Sequence, residues 1–235
     1  MPSEHTDKQY EAELRDLRER LLFMAGKVEE MIAFTTRSLV ERDSDLARQM
    51  IEADMDINRL EVEIDELCLR LLALRQPAAR DLRFITLALK IVTDLERIGD
   101  ECVNIARRAV ELNAEPPLKP LIDIPRMAGT AQEMVRQALD AFVEGDDQKA
   151  LRVGPRDDEV DALNVQLFRE LVSFMIEDPR TITRATALIA IAKHLERIAD
   201  HATNIAEMVV FMVEGKDIRH PRSRAGGTRR EMTNS

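Results

Sequence analysis

Tryptophan is absent from the 235-residue chain, tyrosine occurs once, and aromatic residues make up 3%. Sheet cores draw on aromatic and β-branched side chains, so this scarcity argues against a β fold. It favours helices packed through Leu, Ile, Val, Ala and Met. Glycine is also scarce, with 8 residues, and no Gly-rich phosphate loop can be drawn. No apolar run approaches the roughly 18 residues that a membrane span requires. The two cysteines, Cys68 and Cys102, stand far apart and form no C-x-x-C pair. They read as small buried hydrophobes in a reducing compartment. Basic clusters are missing outside the tail "RHPRSRAGGTRR", and the net charge is -10. Nucleic acid is therefore not expected as a partner. No Ser/His/Asp or Cys/His constellation can be assembled, so no catalytic residue is assigned. The opening "MPSEHTDKQYEAELRDLRER" is charged throughout. It does not read as a secretory leader, and a cytoplasmic protein is expected.

What is present is helical spacing. Apolar residues recur three and four apart from about Tyr10 to Glu41, from Asp45 to Leu74 and from Ala79 to Asn113. Then "AEPPLKPLIDIP" places four prolines in twelve residues, the natural linker. Helical spacing resumes at Pro125 to Glu144, at Asp146 to Ile176, and from Pro179 to Glu214. The expected fold is all-α: two tandem, pseudo-symmetric three-helix bundles, six helices in all. The expected units are a first bundle over 8–113, a linker over 114–124, a second bundle over 125–216 and a disordered basic tail over 217–235.

Duplication is the main evidence for that division. "LERIGDECVNIA" begins at Leu95, and "LERIADHATNIA" begins at Leu195, with eight of twelve positions identical. Upstream, "DMDINRL" at Asp54 parallels "DDEVDAL" at Asp157. A helix turns about 100° per residue, so Glu96 and Asp100 lie on one face, one turn apart. Glu196 and Asp200 repeat the arrangement, at the edge of the apolar stripe. Asp157 and Asp161 form a further acid pair on the preceding helix, with Asp54 and Asn58 as counterparts.

Two carboxylates one turn apart repel, and the cost grows where water is excluded. Either a hard cation such as Mg²⁺, Ca²⁺, Mn²⁺ or iron offsets it, or a basic side chain such as Arg97 or Arg197 does. Spacing alone leaves both open. With 44 acids in the chain, roughly eight such pairs arise by chance, and Glu61 with Asp65 reads as one of them. His194 and His201 share a face turned away from Glu196 and read as exposed polar positions.

"QPAARDLRFITLALKIVTDLERIGDECVNIA" at 76–106 and "DPRTITRATALIAIAKHLERIADHATNIAE" at 178–207 resemble the PhoU family of phosphate-regulon proteins. The likeness runs from about Tyr10 to Val213. It implies surface metal clusters, iron among them, held through Glu/Asp-x-x-x-Asp motifs. Those motifs fall on Glu96–Asp100, Glu196–Asp200 and Asp157–Asp161. Asp54–Asn58 departs from the pattern and implies a weaker first site. Iron is not distinguished from Mg, Mn or Zn. The resemblance further implies a non-catalytic negative regulator of phosphate uptake and phosphate-starvation signalling. That regulator acts between the Pst transporter ATPase and a PhoR-type histidine kinase. A homodimer is implied too, reaching the membrane only through its partners. Two alternatives stay open: a carboxylate-cluster metal-binding or storage protein, and a metal-free helical scaffold.

Overall fold

The structure, a computed structural model, describes residues 3–75 and 77–215. The expected tail at 217–235 lies outside the described residues. Three long helices come first: α1 (Ser3–Val40), α2 (Ser44–Arg75) and α3 (Ala79–Asn113). Three more long helices follow: α4 (Asp123–Glu144), α6 (Gly154–Glu177) and α7 (Ile182–Glu214). A short α5 (Asp147–Leu151) precedes α6, and a 3₁₀ turn (Pro179–Thr181) precedes α7. No strand occurs among the described residues.

The expected fifth helix, unbroken over 146–176, is corrected: it divides between Leu151 and Gly154. Pro155 has no N–H to donate and its ring clashes with the carbonyl one turn back, so the helix restarts around it. Asp146 caps the short piece by accepting from Lys149 N at 2.9 Å.

The α1–α2 corner is built on Arg42, which has φ of 60°. For an L-residue that conformation costs about 1–2 kcal/mol. The guanidinium offsets it by donating to the carbonyls of Leu112 (3.3 Å) and Asn113 (2.8 Å) at the end of α3. Asp43 then opens α2, accepting from Asp45 N and Leu46 N. The proline linker is packed: Leu118 and Leu121 rest on the core, and Lys119 pairs with Glu170 of α6.

Within each half the helices pack pairwise, α1 with α2 and α3, and α6 with α7 and α4. The halves also join through α3 against α7 and α1 against α4. Equivalent positions are buried in both copies: Ala88 and Leu188, Ile91 and Ile191, Leu95 and Leu195, Ile98 and Ile198. On α3, Phe84, Ile85, Leu87, Ile98, Ile105 and Ala109 are buried as well. That wider burial follows from contact with α7 in addition to α1 and α2. Cys68 and Cys102 are free and fully buried. Burial pushes the Cys68 thiol up to about 12, so it is inert at neutral pH.

Candidate functional site

The repeated phrase lies on α3 and α7, and the upstream acids lie on their neighbours α2 and α6. In the first half, Asp54 and Glu96 are half-buried while Asn58 and Asp100 are exposed. Asn58 Nδ2 donates to Asp54 Oδ2 at 3.1 Å. Asp54 Oδ1 is buried with no hydrogen-bond partner. A Cβ on Gly99 would stand 3.2 Å from that oxygen, so the glycine inside the phrase leaves it room. Burial raises the Asp54 pKa first, and the charge of Asp100 raises it further. Burial likewise raises Glu96, with Asp100, Glu61 and Asp54 adding to it and Arg97 opposing.

Those couplings enlarge the site. Glu61 and Asp65, set aside as a chance pair, face the same groove. The Glu61 carboxyl is raised by burial, then by Asp65 and Asp100. Asp65 Oδ1 is buried without a partner. A signal was available: 54, 58, 61 and 65 advance by four, three and four, the rhythm of one helix face.

The second half is more strained. Asp157 Oδ1 is buried and unpartnered. Burial, then Asp200, Asp161, Asp158 and Glu196, raise the Asp157 carboxyl to about 6. Asp200 is exposed yet crowded by other acids. Burial, Glu196 and Asp161 raise its carboxyl against the pull of Lys193 and His201. Asp161 is exposed. Glu196 forms an ion pair with Lys193, although the approach lacks the angle of a hydrogen bond.

The phrase arginines do not bridge the ladders. Arg197 Nη1 reaches Glu101 Oε1 at 3.4 Å instead. The histidines also differ from expectation. His194 and His201 are half-buried, not exposed, because α3 crosses α7 there. His194 Nδ1 meets Glu101, and His201 Nδ1 meets Asp94 Oδ1 at 2.8 Å. The positions are reciprocal, 94 with 201 and 101 with 194, so the crossing follows the internal pseudo-symmetry. Burial alone would raise Glu101, but hydrogen bonds and charge from His194 and Arg197 outweigh it and hold the carboxyl below its ordinary range.

Among the described residues, no three Asp, Glu, His or Cys side chains converge on one point as a closed chelate. The donors nevertheless fit a hard cation chemically. They are carboxylate oxygens and one amide on adjacent helices, and buried oxygens at Asp54, Asp65 and Asp157 are met by no donor.

The PhoU domain profile matches this chain twice, over residues 21–109 and 124–209. The chain belongs to the PhoU family. A Pseudomonas aeruginosa relative named as a phosphate-specific transport system accessory protein is 46% identical over 218 residues. That match covers 92% of this chain and 90% of the relative. An Aquifex aeolicus protein of the same name is 44% identical, covering 88% of this chain and 94% of its own. The crystal structure of PhoU from Pseudomonas aeruginosa superposes with a TM-score of 0.84 at 46% identity, covering 88% of this chain and all of that one (100%). The phosphate transport system regulatory protein PhoU from Streptococcus pneumoniae gives 0.82 at 29% identity, covering 89% of this chain and 99% of that one. The α2–α3 and α6–α7 grooves lie within the two matched repeats. Among the described residues, no helix is long and apolar enough to cross a membrane.

Proposed function

We propose that the chain is a regulatory accessory protein of a phosphate-specific transport system. In this reading it is a non-catalytic adaptor between the transporter ATPase and a PhoR-type sensor kinase, and it represses phosphate uptake and starvation signalling. The observation that carries the reading is the 46% identity over 92% of the chain to an accessory protein of that system.

The acid ladders are assigned to hard-cation binding. Asp54, Asn58, Glu96 and Asp100 would hold the cation in the first groove. Asp157, Asp161, Glu196 and Asp200 would hold it in the second. Iron, manganese, magnesium and zinc all suit such donors to different degrees. A bound cation supplies positive charge to an acidic face, so loading changes what a partner meets there. Support comes from the buried, unpartnered oxygens of Asp54 and Asp157. One contact favours the metal-free scaffold: Lys193 already neutralises part of Glu196.

Pull-down of tagged protein from cells grown in high and in low phosphate tests the adaptor role. Transporter ATPase and sensor kinase are expected in the eluate, with recovery dependent on phosphate. Their absence under both conditions would refute the role. Equal recovery before and after chelator treatment would refute the cation's part in it.

A further inference from the structure

A group of arginines lies away from the ladders, where the two bundles meet at one end. The first turn of α3 there faces the last turns of α4 and α7. A cavity of about 280 Å³ opens between them, lined by Arg18, Arg80, Arg83, Phe84, Phe142 and Met212 among others. That volume sits at the lower edge of the ~300–1,000 Å³ typical of small-molecule pockets.

The three arginines are available. Among the described residues none of them forms an ion pair with an acid, whereas both acids in the wall are engaged. Asp81 Oδ2 accepts from Tyr10 Oη at 3.1 Å. Burial, then the hydrogen bond and charge of Asp81, push the Tyr10 phenol up to about 12, so it stays a donor. Glu144 is held by Lys149 at 3.1 Å. Arg18 is fixed over the Phe84 ring, its guanidinium carbon 4.8 Å from the centroid. Phe84 in turn stacks on Phe142 at 4.8 Å. The α3 N-terminus adds to the field: Ala78 gives no side-chain cap, so the first-turn N–H groups of α3 receive none.

We propose that this junction cavity binds a phosphate group carried by a small molecule. Guanidinium forks match phosphate oxygens in pairs, and a helix N-terminus favours the same charge. The group has two sources, inorganic phosphate and a nucleotide. The Phe, Val and Met lining and a volume larger than one oxyanion needs favour the nucleotide. The site is built from both bundles, so an occupant ties α3 to α4 and α7.

The test is equilibrium dialysis of full-length, chelator-treated protein in magnesium-free buffer, with labelled inorganic phosphate in one arm and labelled ATP or AMP in the other. Saturable binding in either arm is expected, weakened about tenfold or more by Arg80→Glu with Arg83→Glu. Both side chains are exposed, and circular dichroism checks that the fold persists. Asp54→Asn with Asp157→Asn is expected to bind as the parent does. Tighter nucleotide binding assigns that source, and tighter inorganic phosphate binding assigns the other. The proposal is overturned by no saturable binding in either arm. It is equally overturned by binding that survives the arginine changes, or by binding lost only in the ladder variant.

Discussion

Replacing Asp157 and Asp200 together by asparagine is expected to raise the melting temperature of chelator-treated protein while abolishing the rise that added Mn²⁺ or Fe²⁺ gives the parent. The two effects have opposite signs because the ladder is costly when empty. The Asp157 carboxyl stands at about 6 in the folded chain, against an ordinary value of 3.8. Between those values the folded state holds the extra proton, so unfolding free energy falls as pH rises from about 4 to about 6. The full shift sets a ceiling of about 3 kcal/mol. Asp157 is only half-buried, and solvent screening reduces the cost to about 1–2 kcal/mol. Removing it corresponds to a gain of roughly 2–8 °C near neutral pH, fading toward pH 4. A cation at a hundred times its dissociation constant stabilises the parent by about 2.7 kcal/mol, and the variant forgoes this. Differential scanning fluorimetry from pH 4 to 7.5, with and without cation, reads both signs. A variant less stable than the parent in chelator at pH 7 would show that the carboxylates act as structural partners.

Phe142→Ala is expected to cost about 3–5 kcal/mol. The ring is 1% exposed and stacks on Phe84 with an interplanar angle of 8°. Phe142 belongs to α4 and Phe84 to α3, so the change opens a cavity in the seam between bundles. A single calorimetric transition is expected for the parent, because α3–α7 and α1–α4 packing makes the two cores continuous. The variant is expected to melt earlier and to broaden as its halves uncouple. A loss under about 1 kcal/mol would mean the seam relaxes around the missing ring.

The bundles were legible because the code was written twice. Leu95 and Leu195, Ile98 and Ile198, Glu96 and Glu196 repeat at one offset, and the prolines of the linker separate the copies. The break at Pro155 was equally visible in "VGPRDD", but the regular apolar spacing on either side masked it. That Glu96 and Asp100 share a face followed from helix geometry, and their repetition at Glu196 and Asp200 set them apart from chance pairs. Glu61 and Asp65 belong with them, because the face that carries Asp54 continues through them. Contacts between bundles lay beyond periodicity. His194 meets Glu101 across 93 residues and His201 meets Asp94 across 107, and only the crossing of α3 on α7 brings them together. The arginine cavity has the same origin: Arg18 comes from the body of α1, Arg83 from the start of α3 and Met212 from the end of α7.

Elemental analysis of protein purified without chelator, read beside the variant carrying Glu96→Gln, Asp100→Asn, Glu196→Gln and Asp200→Asn, probes the ladders most directly. The account predicts tightly held transition metal or magnesium in the parent at one or more ions per chain, and loss of most of it in a variant that still folds. Metal-free parent protein, or a variant that retains the parent's metal content, would contradict it.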